Sequence, residues 1–188
     1  MFVLQPADTI HAFRSASWHP LRTARPDIAP SWRSWLVTEG SLTKRLIRAS
    51  QGDFRLQVLN QYWGTAWPSE QVVLGLESRQ QVLIREIAMI CQGQIWVVAR
   101  SLMPPRTLTG PRRRLKSLGR TPLGRYLFSQ PSLRRSPMEV APLVSEPGMI
   151  HCWGRRSIFY LAEHPLLVSE FFLPAILDAQ ESRRPVSR

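Results

Sequence analysis

The longest pattern in this chain that indicates paired β-strands is formed by two β-rich arms between residues 80 and 102. The arms read QQVLIREIAMIC and IWVVARSL, and the Gln92-Gly93-Gln94 segment between them is typical of a tight turn. The sequence therefore predicts a β-hairpin, which constrains the fold to one that contains antiparallel strands. Arg85 lies inside the first arm.

Two short helices are predicted before the hairpin. Ser31 and Ser41 belong to the residue types that cap helices, and each is followed by apolar side chains at helical spacing. The first helix should end near Gly40 and the second near Ser50.

Two more helical segments are predicted after the hairpin. Pro111 suits the first turn of a helix that Thr107 or Thr109 can cap, and Gly119 should end that helix. Thr121-Pro122 then opens a second short helix with an apolar side.

Further strands are predicted on both sides of these segments. One begins at Phe54, alternates in polarity and ends at the Trp63-Gly64 break, and three more lie within LRRSPMEVAPLV, WGRRSIFYLA and PLLVSEFFLP. The short connections favour hairpins over crossovers. The predicted fold class is α+β, an antiparallel β-sheet covered mainly on one face by helices.

Length and composition indicate a single folded domain. The 188 residues are 44% hydrophobic, which is enough for one core, and we assign that domain to residues 31–177. Residues 1–30 mix Pro, Arg and His without periodicity and are predicted to be a loose N-terminal extension. Residues 178–188 have no apolar stripe and are predicted to be a mobile tail.

The charge of the chain is strongly positive. It has 25 Lys and Arg residues, of which only Lys44 and Lys116 are lysines, against 13 acidic residues. The densest run is PRRRLK at 111–116, and no zinc-finger, helix-turn-helix or RNP-type signature accompanies it. We therefore expect a solvated arginine-rich face and no nucleic-acid partner. A small anionic ligand would also be attracted to such a field.

The sequence predicts a cytoplasmic protein without a metal or other cofactor. The first residues lack a secretion signal, and no stretch approaches the roughly 20 apolar residues of a membrane helix. Cys91 and Cys152 form no CxxC or Cys/His spacing and are expected to be buried, reduced thiols. The histidines likewise lack metal-ligand spacing: His11, His19, His151 and His164. No pattern indicates an oligomeric state.

Three separated stretches carry residues suited to binding an organic acid. They are LIREI with Arg85, the glycine-punctuated LGRTPLGRYLF from Leu118, and the pair WGRRS and SEFFLP with Arg155, Arg156 and Glu170. A fixed arginine, a glycine-rich approach to backbone amides and one carboxylate on an apolar strand suit a small, doubly anionic, hydroxylated ligand.

Five sequence blocks in a fixed order carry a family resemblance. SLTKR, LIREI, LGRTPLGRYLF, WGRRS and SEFFLP, between about Trp32 and Pro174, resemble the blocks of the bacterial chorismate pyruvate-lyases. Members of that family make 4-hydroxybenzoate and pyruvate from chorismate at the head of ubiquinone biosynthesis. The resemblance implies the same fold, the same lyase activity and no cofactor.

The resemblance also implies roles for individual residues. Arg85 would bind the ring carboxylate of chorismate, and Glu170 would meet the ring hydroxyl as acceptor or donor. Leu42, where a methionine is common in the family, and Leu123 would close over the ligand. Each residue also has a structural alternative: an ion pair for Arg85 or Glu170, and ordinary core packing for the two leucines.

Arg155 and Arg156 are expected to face opposite sides of their strand, because neighbouring strand residues alternate. We favour Arg155 as the residue that enters the pocket and binds the pyruvyl carboxylate. The competing hypothesis is a non-catalytic small-acid effector-binding domain, since certain helix-turn-helix regulators share this fold. A third is a related lyase with an altered chorismate-derived product.

Overall fold

One antiparallel sheet organises the protein. The computed structural model describes residues 5–146 and 149–181; its strands are β1 (His19–Pro20), β2 (Phe54–Thr65), β3 (Gln81–Cys91), β4 (Gln94–Met103), β5 (Leu133–Arg135), β6 (Glu139–Glu146), β7 (Met149–Leu161) and β8 (His164–Phe172). They are ordered β1-β6-β7-β8-β4-β3-β2, with β5 paired to β7. All of these pairings are antiparallel. The hairpin forms β3 and β4 inside the sheet, and the predicted α+β class is confirmed.

Short helices cover this sheet. They are α1 (Pro6–Ala12), α2 (Leu21–Ala24), α3 (Pro30–Leu36), α4 (Leu42–Ala49), α5 (Pro68–Leu74), α6 (Leu123–Leu127) and α7 (Ala175–Glu181), with 3-10 segments at Phe13–Ser15, Arg25–Asp27, Pro105–Thr107 and Gly110–Ser117. Ser41 caps α4 as predicted, because its hydroxyl accepts a hydrogen bond from the Lys44 backbone amide at 3.4 Å. Helix α3 begins one residue before Ser31, since Pro30 has the fixed φ that suits a first helical turn.

Several elements differ in detail from their predicted form. Strand β2 continues through Gly64, where a Cβ atom would lie only 2.9 Å from the Tyr62 ring, so the glycine permits a close approach without ending the strand. The helix predicted around Pro111 is a 3-10 segment with Thr109 at its N-cap position. The predicted strand at residues 133–144 is split into β5 and β6 near Pro137, which has no backbone N–H for a ladder.

The helices α3, α4 and α6 pack on the same face of the sheet. Leu36 and Leu46 from the first two pack in a cluster with Met89 and Phe172. Helix α6 contributes to a second cluster with Leu83, Phe159 and Leu166: its members from α6 are Leu123, Tyr126 and Leu127. The space between the two clusters is where the candidate site lies.

The first thirty residues are not a loose extension within the described residues 5–30. Ile10 and Phe13 are each 1% exposed and pack against the opposite face of the sheet. The Phe13 ring stacks on Phe171 with its centroid 4.3 Å away. Helices this short show too few turns to display an apolar stripe, so the sequence did not indicate their burial. Residues 182–188 of the predicted mobile tail lie outside the described residues.

A buried charge cluster lies on the same face as α1. Arg100 on β4 donates to Glu70 of α5 at 2.9 Å and to Glu86 of β3 at 2.7 Å, and its guanidinium lies 4.0 Å over the Trp67 ring. Burial opposes the charge of Arg100, but the hydrogen bonds that Arg100 donates to Glu70, Tyr62 and Glu86, together with the Glu70 charge, outweigh it, so its pKa is raised. The cluster connects α5 to β3 and β4.

Candidate active site

A small cavity lies between the sheet and the helices α4 and α6. Side chains of the central strands form its floor, among them Ala99, Ser101 and Val168, and the segments that begin with Gly40 and Pro122 cover it. Leu42 and Leu123 both line it from this covering side, and that they close over a ligand stays a prediction. The free volume is about 50 Å³. A benzene-sized ligand occupies a cavity of about 150 Å³, so a larger ligand requires the covering segments to move outward.

Glu170 points into this cavity from β8. Its register partner on β7 is Arg155, and the Arg155 Nε donates to Glu170 Oε2 at 2.6 Å. The Arg155 side chain is 1% exposed and that of Glu170 is 15% exposed. A charge-assisted bond of this length fixes one carboxylate oxygen and leaves the other available on the cavity side.

Arg155 also contacts the end of α3. Besides Glu170, its Nη1 donates to the backbone carbonyls of Trp35, Leu36 and Thr38 at 3.0, 3.1 and 2.9 Å. These four bonds occupy two of its nitrogens with protein acceptors. Arg155 thus contacts Glu170 and the end of α3 while also lining the cavity, and its binding of the pyruvyl carboxylate of a ligand stays a prediction.

Arg156 lies on the other face of the sheet, as strand alternation predicts. Its Nε donates to Glu139 Oε2 at 2.7 Å, and its guanidinium lies 4.5 Å over the Trp18 ring. Arg156 is thus separated from the cavity by the sheet itself.

Arg85 lies on the same face of the sheet as Glu170 but is not among the residues that line the cavity. It is 1% exposed, and its Nη2 donates to the carbonyls of Gly119 at 2.9 Å and Thr121 at 3.3 Å. Its register partner Ser101 lines the cavity. The Nη1 atom is buried without a hydrogen-bond partner in the described part of the chain, and burial lowers the pKa of Arg85. An unpartnered buried N–H of a cation is suited to an incoming carboxylate.

Arg135 is a cavity residue that sequence reasoning missed. It ends β5, where it pairs with Phe159 of β7, and it lines the cavity together with Glu170. Its Nη1 donates to the Glu39 carbonyl at 3.2 Å. The Nε atom is buried and has no partner among the described residues. In the sequence Arg135 is one of many scattered arginines, and only its pairing opposite Phe159 distinguishes it from Arg134.

The net effect on Arg135 is a lowered pKa. Burial is the largest cause, the nearby Glu170 charge opposes it, and the Arg155 charge adds to it. Glu170 is therefore electrostatically coupled to two arginines, one in contact and one across the cavity.

The cysteines and histidines form no site in the described residues. Cys91 and Cys152 are free and buried, and burial is the main cause that raises their thiol pKa values to about 11 and about 12. No group of three or more His, Cys, Asp or Glu side chains within residues 5–146 and 149–181 could hold a metal ion. In the same ranges, no helix is long and apolar enough to cross a membrane.

Comparison with known sequences decides the family. A model of the family described as chorismate lyase matches residues 13–182, nearly the whole chain. The chain belongs to the chorismate lyase family. The match begins before Trp32, where the five sequence blocks begin, and so includes Phe13, which the fold buries.

Relatives from several bacteria agree with this assignment. A probable chorismate pyruvate-lyase of Methylococcus capsulatus is 40% identical over 161 residues, covering 79% of this chain and 98% of the relative. The chorismate pyruvate-lyase of Salmonella arizonae is 37% identical over 152 residues, covering 81% and 88%. A probable chorismate pyruvate-lyase of Azoarcus sp. is 38% identical over 185 residues, covering 89% and 95%.

Solved structures with a similar fold are more distant in sequence. PhnF from Mycobacterium smegmatis superposes with a TM-score of 0.52 at 14% identity, over 74% of this chain and 66% of that one. A separate structure of the effector domain of PhnF gives 0.51 at 14% identity, over 74% and 91%. At this identity the likeness shows a shared fold and nothing about function.

Proposed function

We propose that this protein is a chorismate pyruvate-lyase, which converts chorismate to 4-hydroxybenzoate and pyruvate. Its membership of the chorismate lyase family supports the reaction class. The observation that carries the proposal for the site is the ion pair between buried Arg155 and partly buried Glu170, which holds one carboxylate at a cavity whose cover includes Leu42 and Leu123.

The reaction requires the enzyme to position the substrate more than to supply a strong base. The ether bond to the enolpyruvyl group breaks, and the hydrogen on the hydroxyl-bearing carbon moves to the enolpyruvyl methylene carbon. The ring becomes aromatic and pyruvate leaves. The ether oxygen and the departing hydrogen lie on the same face of the ring, so a cyclic transfer within the substrate is available. Holding one reactive conformer can contribute about 7–11 kcal/mol to such a step.

In this proposal the two ends of the ring are held by different strands. The Nη1 of Arg85 on β3, which has no hydrogen-bond partner in the described residues, donates to the ring carboxylate. The carboxylate of Glu170 on β8 hydrogen-bonds the ring hydroxyl and polarises the departing group. Strand β4, with Ala99 and Ser101, lies between them as an uncharged floor. A ring whose carboxylate is para to its hydroxyl presents these two groups at opposite ends, which is the arrangement that the proposal requires.

The covering residues have a second role in the proposal. Leu42 and Leu123 exclude water from the reacting atoms, which strengthens every charged contact inside. Because the free volume is about 50 Å³, the segments that carry these residues must open for substrate binding and product release.

The decisive experiment follows both products of purified protein incubated with chorismate. We expect 4-hydroxybenzoate, measured by chromatography, and pyruvate, measured with lactate dehydrogenase, to appear in equal amounts. The activity should persist in excess EDTA and without added cofactor. Loss on chelation that is restored by a metal would contradict the cofactor-free reaction, and a different aromatic product would indicate an altered lyase.

An effector-binding role is the alternative, and the shared fold with the PhnF effector domain is the observation behind it. That role predicts that chorismate or 4-hydroxybenzoate binds without turnover. The cytoplasmic location, the absence of a nucleic-acid partner and the supply of 4-hydroxybenzoate to ubiquinone biosynthesis stay predictions.

A further inference from the structure

The substrate of the proposed reaction carries two carboxylates, and Arg85 accounts for one. The cavity itself is lined by two positively charged residues in the described part of the chain, Arg135 and Arg155. The bonds of Arg155 to Glu170 and to three backbone carbonyls occupy its Nε and Nη1 atoms. Arg135 is the cavity cation whose donors are least occupied.

The backbone of β5 aims Arg135 at the cavity. Arg135 pairs with Phe159, and its guanidinium lies 4.9 Å over that ring. The preceding residue, Arg134, faces away, with 61% of its side chain exposed, and forms an ion pair with Glu163 on the surface. Alternation along the strand therefore places one arginine inside and its neighbour outside.

The contacts of Arg135 leave its charge without a direct counterion. Its Nη1 donates to a neutral acceptor, the Glu39 carbonyl at 3.2 Å, and its buried Nε has no partner in the described residues. Within the same residues it forms no ion pair. A ligand carboxylate could accept from Nε and from an Nη atom at once, which is the bidentate geometry that arginine favours.

The order of the strands places Glu170 between Arg85 and Arg135. Across the sheet the sequence is β5 with Arg135, β7, β8 with Glu170, β4, and β3 with Arg85. In chorismate the enolpyruvyl ether is attached to the ring carbon next to the hydroxyl-bearing carbon, meta to the ring carboxylate. With the ring carboxylate at Arg85 and the hydroxyl at Glu170, the enolpyruvyl carboxylate needs a second cation near Glu170, and Arg135 lines the same cavity as Glu170.

We propose that Arg135 binds the enolpyruvyl carboxylate of the substrate and so distinguishes chorismate from 4-hydroxybenzoate. This assignment rests on the proposed function. The product keeps the ring carboxylate and the hydroxyl but has lost the second carboxylate. Arg135 therefore stabilises the substrate complex and releases its ligand with pyruvate.

The test compares substrate turnover with product binding in Arg135→Gln. We expect kcat/KM for chorismate to fall about ten- to a hundredfold, as for a lost charge-assisted contact. The Kd for 4-hydroxybenzoate, measured by calorimetry, should stay within about threefold of the parent value, because the product lacks the carboxylate that Arg135 binds. Arg85→Ala, in contrast, should weaken both.

Arg134→Gln is the matched control, because it removes the same charge from the adjacent, exposed position. It should leave both quantities near the parent values. Arg135→Lys keeps the positive charge but loses the bidentate guanidinium geometry. It should lower kcat/KM for chorismate by a smaller factor and leave the Kd for 4-hydroxybenzoate unchanged. If Arg135→Gln does not fold, Arg135→Lys provides the test.

Two results would overturn the assignment: parental kcat/KM in the Arg135 variants, or an equal loss of chorismate turnover and 4-hydroxybenzoate binding. Both require an active parent. A parent that does not convert chorismate would instead refute the proposed function, so the two failures are distinguishable.

Discussion

Replacing Glu170 by Gln separates the chemical role of this carboxylate from its structural one. The glutamine keeps the shape of the side chain and can still accept a hydrogen bond from the Arg155 Nε, which lies 2.6 Å from Glu170 Oε2 in the parent. It removes the negative charge and the ability to exchange a proton. Removing one preorganised electrostatic contact at a reacting centre typically costs about 10²–10³-fold in kcat, so we expect kcat to fall by about 100-fold or more.

The stability cost can be worked from the same contact. The amide keeps a hydrogen bond to the charged Arg155 but removes the second charge of the pair, so the substitution should cost about 1 kcal/mol, part of the roughly 1.5–3 kcal/mol of a bond to a charged group. The three carbonyl acceptors of Arg155 remain, which keeps the cost below that of breaking a fully isolated buried pair. For a chain of this size, 1 kcal/mol corresponds to a decrease in Tm of about 2–4 °C.

Glu170→Ala is the informative comparison. It leaves the Arg155 Nε without its carboxylate partner, so we expect a larger loss in the free energy of unfolding, about 2–3 kcal/mol, together with weaker 4-hydroxybenzoate binding. Urea unfolding, calorimetric Kd values and initial rates measure the three effects. The reasoning is refuted if Glu170→Gln turns over chorismate at the parent rate, or if it loses product binding as completely as turnover.

Three further predictions concern other residues. Arg85→Ala should lower kcat/KM for chorismate by about tenfold or more, the loss of about 1.5–3 kcal/mol of charge-assisted contact, and an unchanged rate and Michaelis constant would exclude Arg85 from the site. Arg100→Met, on the other face of the sheet, leaves Glu70 and Glu86 buried without their cation and should destabilise folding by about 3–5 kcal/mol in urea titrations. Parent-like unfolding would contradict that account. Because burial raises the thiol pKa values of Cys91 and Cys152 from 9.0 to about 11 and about 12, their contribution to stability is complete below pH 9 and is lost as pH rises through that range. The fall in unfolding free energy between pH 9 and 11 should therefore be shallower in a double alanine variant, and an identical pH dependence would show that the thiols stay protonated or titrate alike in both states.

Much of the local structure was predictable because it depends on neighbouring residues. The Ser41 cap, the turn at Gln92-Gly93 and the opposite orientation of Arg155 and Arg156 all follow from interactions or alternation within a few positions. The resemblance of five sequence blocks added the family. It also indicated Leu42 and Leu123, which do line the cavity.

The pairing of distant segments was decided only by the tertiary structure. Arg155 meets Glu170 because β7 and β8 align in one register, and it meets the carbonyls of Trp35 and Leu36 because the end of α3 packs over that register. A shift of one residue would have turned either side chain to the other face. Nothing within Leu133–Arg135 indicates that its last arginine faces a cavity.

The difference between local preference and tertiary packing also explains why the N-terminal residues are buried. Their prolines and charges predicted a loose extension, but Ile10 and Phe13 are buried because the sheet presents Phe171 and Ala88 to them. Sequence by itself determined which short segments could be strands or capped helices, since those preferences act over a few residues. The three-dimensional fold decided which charges share a cavity, because strand register and helix packing join residues that lie up to 120 positions apart.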